Sequence, residues 1–157
     1  MQSLIAFTAR YLFIPVVLAE VLYLLVFHRK SWKALFIAAL VIGGLSFGIS
    51  LILNALVQDP RPFIVQGTTP LIPSSSDNGF PSDHTLLLSA MAAIAMTVNP
   101  WAGVAGLAFA VIVGLARVYA GVHHLADIVG SLFIVGFVSA AYLIVWLFIA
   151  RRKAEKK

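Results

Sequence analysis

Apolar residues run along this chain in long blocks, broken at a few points by short polar stretches. A helix rises about 1.5 Å per residue and needs about 20 mostly apolar residues to cross a bilayer. Five blocks reach or approach that length. They predict helices over about Tyr11–Phe27, Trp32–Val57, Ser82–Val98, Trp101–Tyr119 and Leu125–Ile149, the third of them short. Ser3–Arg10 is expected to form an interfacial lead-in. The pattern predicts an all-α, polytopic membrane helix bundle of about five transmembrane helices, a single domain over residues 1–157.

Small residues recur at four-residue steps, at Gly44 and Gly48, at Gly106, Ala110 and Gly114, and at Gly136 and Ala140. Such faces let helix backbones approach closely in lipid. The stretch 58–81, rich in Pro, Gly and Ser, is longer than the ~12–15 residues usual for a structureless connection. It is expected to cover a site or admit a head group. Met1–Phe13 lacks a charged leading region and an evident cleavage site, so it reads as mature protein rather than a signal peptide.

Composition sharpens this reading. The chain is 61% hydrophobic and 11% charged, against about 45–50% and about 25% for a soluble domain. It has no cysteine, which excludes disulfides, thiolate catalysis and Cys-ligated zinc. The net charge of +5 does not point to nucleic acid, because most basic residues flank apolar blocks. Arg29, Lys30 and Lys33 lie between the first two helices; Arg151, Arg152, Lys153, Lys156 and Lys157 form a basic tail over residues 150–157. With five spans both clusters fall on one side, which the positive-inside rule makes cytoplasmic. The loop 58–81 and the turn Tyr119–His124 are then extracytoplasmic.

Those two segments carry the candidate chemistry. Ser82 and Asp83 follow Pro81 and precede an apolar run, as helix caps do. A helix amino terminus offers free N–H groups to an anion, and His84 sits in that first turn. An ordinary cap with an incidental histidine is the plainer reading of this element alone. His123 and Asp127, four apart, share one face if helical. A carboxylate on one ring nitrogen fixes the tautomer and frees the other nitrogen to attack. Arg117 precedes His123 by six residues and can fork onto phosphate oxygens, or pair with Asp127 in a structural salt bridge. Arg61 stands between two prolines that stiffen its loop. His124 is a rival nucleophile, three residues from Asp127. Glu20, midway along the first helix, is expected to bond a neighbouring helix or face the substrate path. No cluster of carboxylates or histidines reads as a metal site.

The ordered set Arg61-Pro62, Pro81-Ser82-Asp83-His84 and Arg117-x5-His123-x3-Asp127 resembles the type 2 phosphatidic acid phosphatase superfamily. The resemblance covers about Asn54 to Asp127. With Ala116–His123 it is most like the bacitracin-resistance type of undecaprenyl-pyrophosphate phosphatase. It implies a metal-independent, cofactor-free lipid phosphatase of the cell envelope acting on a polyprenyl pyrophosphate. His123 would be the nucleophile, Asp127 its orienter and His84 the acid and base. Arg61, Arg117, Ser82 and the Asp83 N–H would hold the phosphate. Three positions depart from the family pattern: Asn54 replaces a lysine, Ala116 a serine and Asp83 a glycine. Phosphatidic acid or phosphatidylglycerophosphate is the alternative substrate. A non-catalytic lipid-binding or transport protein is the alternative of another class. The implied partners are the lipid phosphate substrate and membrane lipids, with no oligomeric state indicated.

Overall fold

Long apolar runs bounded by polar breaks become helices because a helix satisfies its own backbone hydrogen bonds, which lipid cannot do. The computed structural model describes residues 1–155; Lys156 and Lys157 of the basic tail lie outside the described residues. The helices are α1 Gln2–Arg10, α2 Phe13–Phe27, α3 Trp32–Ala38, α4 Gly44–Leu56, α5 Pro62–Gln66, α6 Asp83–Met96, α7 Pro100–Tyr119 and α8 Leu125–Glu155. A π-helical turn, Ala39–Gly43, joins α3 to α4 in one rod. The all-α membrane bundle read from the sequence is the observed architecture.

Among the described residues, three helices are long and apolar enough to cross a membrane: Arg29–Leu56, Pro100–Tyr119 and Leu125–Ala154. The pair α1 and α2, bent by 46°, counts as a fourth if taken as one span. α6 has only 14 residues, about 21 Å of helix against a hydrocarbon core of about 30 Å. The predicted boundaries shift by a few residues. The lead-in is a regular helix, and it packs on α7. Ala9, fully buried, sits in an apolar cluster with Ile72, Ala116, Ala120 and Val122.

α6 is the centre of the bundle. It packs against α7 and α8 and also meets α2, α4 and the π-helical turn. The hairpin from α6 to α7 closes at Asn99, whose side chain accepts from the N–H groups of Trp101 and Ala102. Pro100 fits the first helical position, where no N–H is needed. Two core clusters flank α6. One joins Leu86, Ala90 and Ile94 to Ile42, Ile134 and Val135; the other joins Leu88 to Val16, Ala110 and Val113.

Only one of the three small-residue ladders lies in a packed seam. A Cβ at Gly106 would overlap the Glu20 carboxylate, and one at Gly114 would meet Ile128 and Thr85. Ala110, between them, is fully buried. Gly44, Gly48 and Gly136 have nothing within 4 Å of such a Cβ. Those faces point outward, so glycine there follows from apolar composition rather than helix contact. Glu20 lies against α7 at Gly106, both carboxylate oxygens buried without a hydrogen-bond partner.

Gly130, one turn beyond Asp127 in α8, touches the ring of Phe80, and a Cβ there would collide with it. Gly130→Ala should therefore lower the thermal midpoint in detergent, in keeping with overpacking costs of about 1–3 kcal/mol. Gly136→Ala, in open space, should leave it unchanged.

Candidate active site

Three segments converge where α4, α6, α7 and α8 meet the long loop. The first leaves α4 through Asp59-Pro60-Arg61-Pro62. Pro62 opens α5, and Arg61 is extended at φ −57°, ψ 148°. The returning limb of the loop is pinned beside it. Gly79 N–H donates to Asp59 O at 2.8 Å. The Asn78 amide donates to the carbonyls of Asn54 (2.7 Å) and Val57 (2.6 Å), and its oxygen accepts from Asp59 N–H (2.9 Å). Asn54 Nδ2 donates to Phe80 O at 2.8 Å. Asn54 therefore fastens the returning limb of the loop to the end of α4 at two points. A Cβ on Gly79 would sit 3.2 Å from both Asp59 O and Asp127 Oδ2, so the backbone passes tightly here.

The second segment enters α6. Ser82 occupies the cap position in extended conformation, but no side chain caps the helix. The expected cap bond from Ser82 or Asp83 is absent because Ser82 is used sideways. Its hydroxyl accepts from Thr85 Oγ1 at 3.2 Å, and its N–H reaches Asp127 O at 3.4 Å. Ser131 Oγ bonds both Ser82 O (3.0 Å) and Asp127 O (2.8 Å), stitching α8 to this turn. Ser82 is fully buried, whereas Asp83 is exposed. His84 packs edge-on against Phe13 of α2, with ring centroids 4.3 Å apart.

The third segment is the turn from α7 to α8. Gly121, at φ 77°, makes the reversal that a residue with a Cβ disfavours. It brings His123 back over Arg117. His123 Nδ1 lies 2.9 Å from Asp127 Oδ2, which also accepts from His124 N–H at 2.9 Å. The other ring nitrogen, Nε2, is 3.3 Å from Arg117 Nη2 and 3.4 Å from Arg61 Nη1. With the Nδ1 proton held by Asp127, Nε2 presents its lone pair between two guanidinium groups. Arg61 Nη1 also donates to Val122 O, and Arg117 Nη1 to Ala9 O, each at 3.0 Å. All four of Arg61, Arg117, His123 and Asp127 are buried.

Two readings the sequence left open can be set beside this geometry. Arg117 faces His123 and makes no salt bridge with Asp127. His123, not His124, takes Asp127 through its ring. His124 Nδ1 instead lies 3.1 Å from Asp59 Oδ1, outside hydrogen-bond geometry. Asp59, Asp77, Asn78, Ser131 and the Ala9 carbonyl were not foreseen. Asp77 and Asn78 sit in a Ser-rich stretch typical of turns. A backbone carbonyl carries no sequence signal.

No metal cluster was expected from the sequence; the fold brings together one grouping that could hold an ion. Asp59, His124 and Asp127 each bring a ligand-capable atom within 4.8 Å of the others. Asp127 Oδ1 is buried without a partner, as an oxygen awaiting a proton or cation would be. Burial and the Asp127 carboxylate push the Asp59 carboxyl above its usual range. His123 is held below the ordinary imidazole value, first by burial and then by Arg117 and Arg61. The bond to Asp127 opposes that shift.

The PAP2 superfamily model matches residues 30–152. The undecaprenyl-diphosphatase BcrC of Bacillus subtilis (strain 168) is 29% identical over 141 residues, covering 87% of this chain and 72% of that protein. The bacitracin transport permease protein BcrC of Bacillus licheniformis is 26% identical over 144 residues, or 91% and 70% of the two chains. A solved structure, the first transmembrane PAP2 type phosphatidylglycerolphosphate phosphatase from Bacillus subtilis, shares the fold. It matches at TM-score 0.59 and 22% identity, over 90% of this chain and 74% of that one.

A lowered His123 value means the folded chain binds its proton later than the unfolded chain. Stability should therefore decline as pH falls below 6.5 towards the folded value. Titration of the His123 ring followed by NMR should show a midpoint below 6.5. Asp127→Asn, which removes the opposing anion, should move it lower still.

Proposed function

Because the chain belongs to the PAP2 superfamily, we propose that it is an integral-membrane lipid phosphatase that removes phosphate from a polyprenyl pyrophosphate. One observation carries this reading: His123 Nε2 stands between Arg61 and Arg117 while Asp127 holds Nδ1. Nε2 attacks the terminal phosphorus, the bond to the bridging oxygen breaks, and a phosphohistidine forms. Arg61 and Arg117 neutralise the equatorial oxygens as the transition state spreads charge over them. Asp127 stabilises the imidazolium that develops. His84 gives its proton to the leaving oxygen, then takes one from water. That water attacks phosphorus, the P–N bond breaks, and inorganic phosphate leaves. Ser82 and the Asp83 N–H, at the start of α6, are the further donors we assign to the phosphate oxygens.

Two guanidinium groups supply the positive charge a metal would otherwise bring, so the reaction proceeds without one. The grouping of Asp59, His124 and Asp127 makes this a real test. Activity should survive EDTA treatment; loss restored by a divalent cation would overturn the metal-free mechanism. The pyrophosphate substrate is favoured by the name of the Bacillus subtilis relative. A phosphatidylglycerophosphate substrate has the name of the solved neighbour behind it, and phosphatidic acid is the other monoester alternative. A transport role has that of the Bacillus licheniformis relative. Side-by-side turnover of the three lipids separates the first two, and binding without phosphate release would favour the third.

The site faces the extracytoplasmic side and the carboxyl terminus the cytoplasm, as the basic flanks suggest. Single cysteines at Gly67 and Lys153 should label from opposite sides of sealed vesicles. Purified protein should release phosphate from undecaprenyl pyrophosphate, with a bell-shaped pH profile. His123→Ala should reduce the rate on the order of 10³-fold or more. Equal rates in wild type and variant would exclude His123 as nucleophile.

A further inference from the structure

A phosphate-binding arginine works only if its fork is aimed, and Arg61 has little in the bundle to aim it. Its guanidinium has five N–H donors in one plane. One edge faces the reaction: Nη1 reaches Val122 O and lies 3.4 Å from His123 Nε2. The opposite edge is taken by a single oxygen. Asp77 Oδ1 accepts from Arg61 Nε at 3.0 Å and from Nη2 at 2.8 Å. Ser75 Oγ donates to the same oxygen at 2.7 Å.

The burial of the two partners is unequal. The Arg61 side chain is 9% exposed and that of Asp77 65%. The anion therefore sits at the solvent edge of the guanidinium, away from the nucleophile. The Ser75 hydroxyl and Arg61 hold the Asp77 carboxyl below its usual range, so it keeps its charge. Asp77 is itself fixed. The next residue, Asn78, is bolted to Asn54 O, Val57 O and the Asp59 N–H. An unbroken series of contacts thus runs from the end of α4 through Asn78 and Asp77 to Arg61.

We propose that Asp77 is a positioning residue for the phosphatase reaction. It locks the guanidinium of Arg61 from its outer edge, so that the inner edge meets the oxygens of a phosphorus held at His123. This rests on the proposed function, and it assigns a task to a loop residue outside the three motifs. The rival role for the same carboxylate is a stand-in for substrate, occupying Arg61 until phosphate displaces it. The two differ in sign. Loss of a positioning residue weakens both phosphate binding and turnover. Loss of a competitor strengthens binding.

The experiment compares wild type, Asp77→Ala and Asp77→Asn in detergent. Two readouts are used: kcat and KM on undecaprenyl pyrophosphate, and the Kd of inorganic phosphate by calorimetry. Asp77→Ala should lower kcat by about tenfold or more, as expected when a catalytic group is slightly misplaced. It should also weaken phosphate binding, at an unchanged thermal midpoint. Asp77→Asn keeps the accepting oxygen and should recover most of both. Unchanged or improved kcat/KM in Asp77→Ala, or tighter phosphate binding, overturns the proposal. Equal losses in both variants with a lowered midpoint also overturn it, since the role would then be structural. If wild type releases no phosphate, the proposed function fails, and calorimetry still tests Asp77 on its own.

Discussion

Two buried guanidinium groups converge on one ring nitrogen, and the rest of the site exists to hold that arrangement in place. Like charges repel, and burial makes the repulsion stronger. Each arginine therefore needs an acceptor that does not block the ring. Arg61 finds the Val122 carbonyl and Asp77; Arg117 finds the Ala9 carbonyl. Asp127 secures the far side of the ring at Nδ1, while burial and the two arginines hold the imidazole below its ordinary value, which leaves the Nε2 lone pair between the two cations. The charge imbalance left over is what an incoming phosphate would cancel.

The central helix joins this geometry through its entry turn. α6 begins at Asp83, directly after the fully buried Ser82. Its entry turn is stitched to α8 by Ser131 and by the Ser82 N–H. His84, in the first turn of α6, meets Phe13 there. The long loop is fixed beside α4 at Asn78 and Gly79 and again at its middle, where Leu71 N–H donates to Ala120 O and Ile72 is buried.

Much of this was legible in the sequence, and the reasons are physical. Helices in lipid announce themselves by length and composition, so the bundle could be read within a few residues. His123 and Asp127 could be paired because a helical turn fixes their spacing. The gaps have equally plain causes. Periodic glycines record composition as well as contact, so Gly44 and Gly136 look like Gly106 without sharing its seam. Asn54 looked like a lost phosphate donor, because a missing lysine is visible and a backbone tether is not. Its amide holds the Phe80 carbonyl, a partner 26 residues away that no local pattern reveals. Asp59 and His124 met through the fold alone, which is why the acidic grouping with Asp127 went unforeseen.

The carbonyl of Ala9 has a different kind of consequence. The family model begins at residue 30, yet the anchor of Arg117 lies in α1. Near the end of a helix the last carbonyls have no partner within it, so almost any helix ending at that point could offer the same oxygen. The tie itself asks that α1 stop at this point and that residue 9 be small, while Ile5 and Ala6 pack on the same apolar cluster. A segment outside the family match thus holds a guanidinium of the candidate site through one main-chain oxygen.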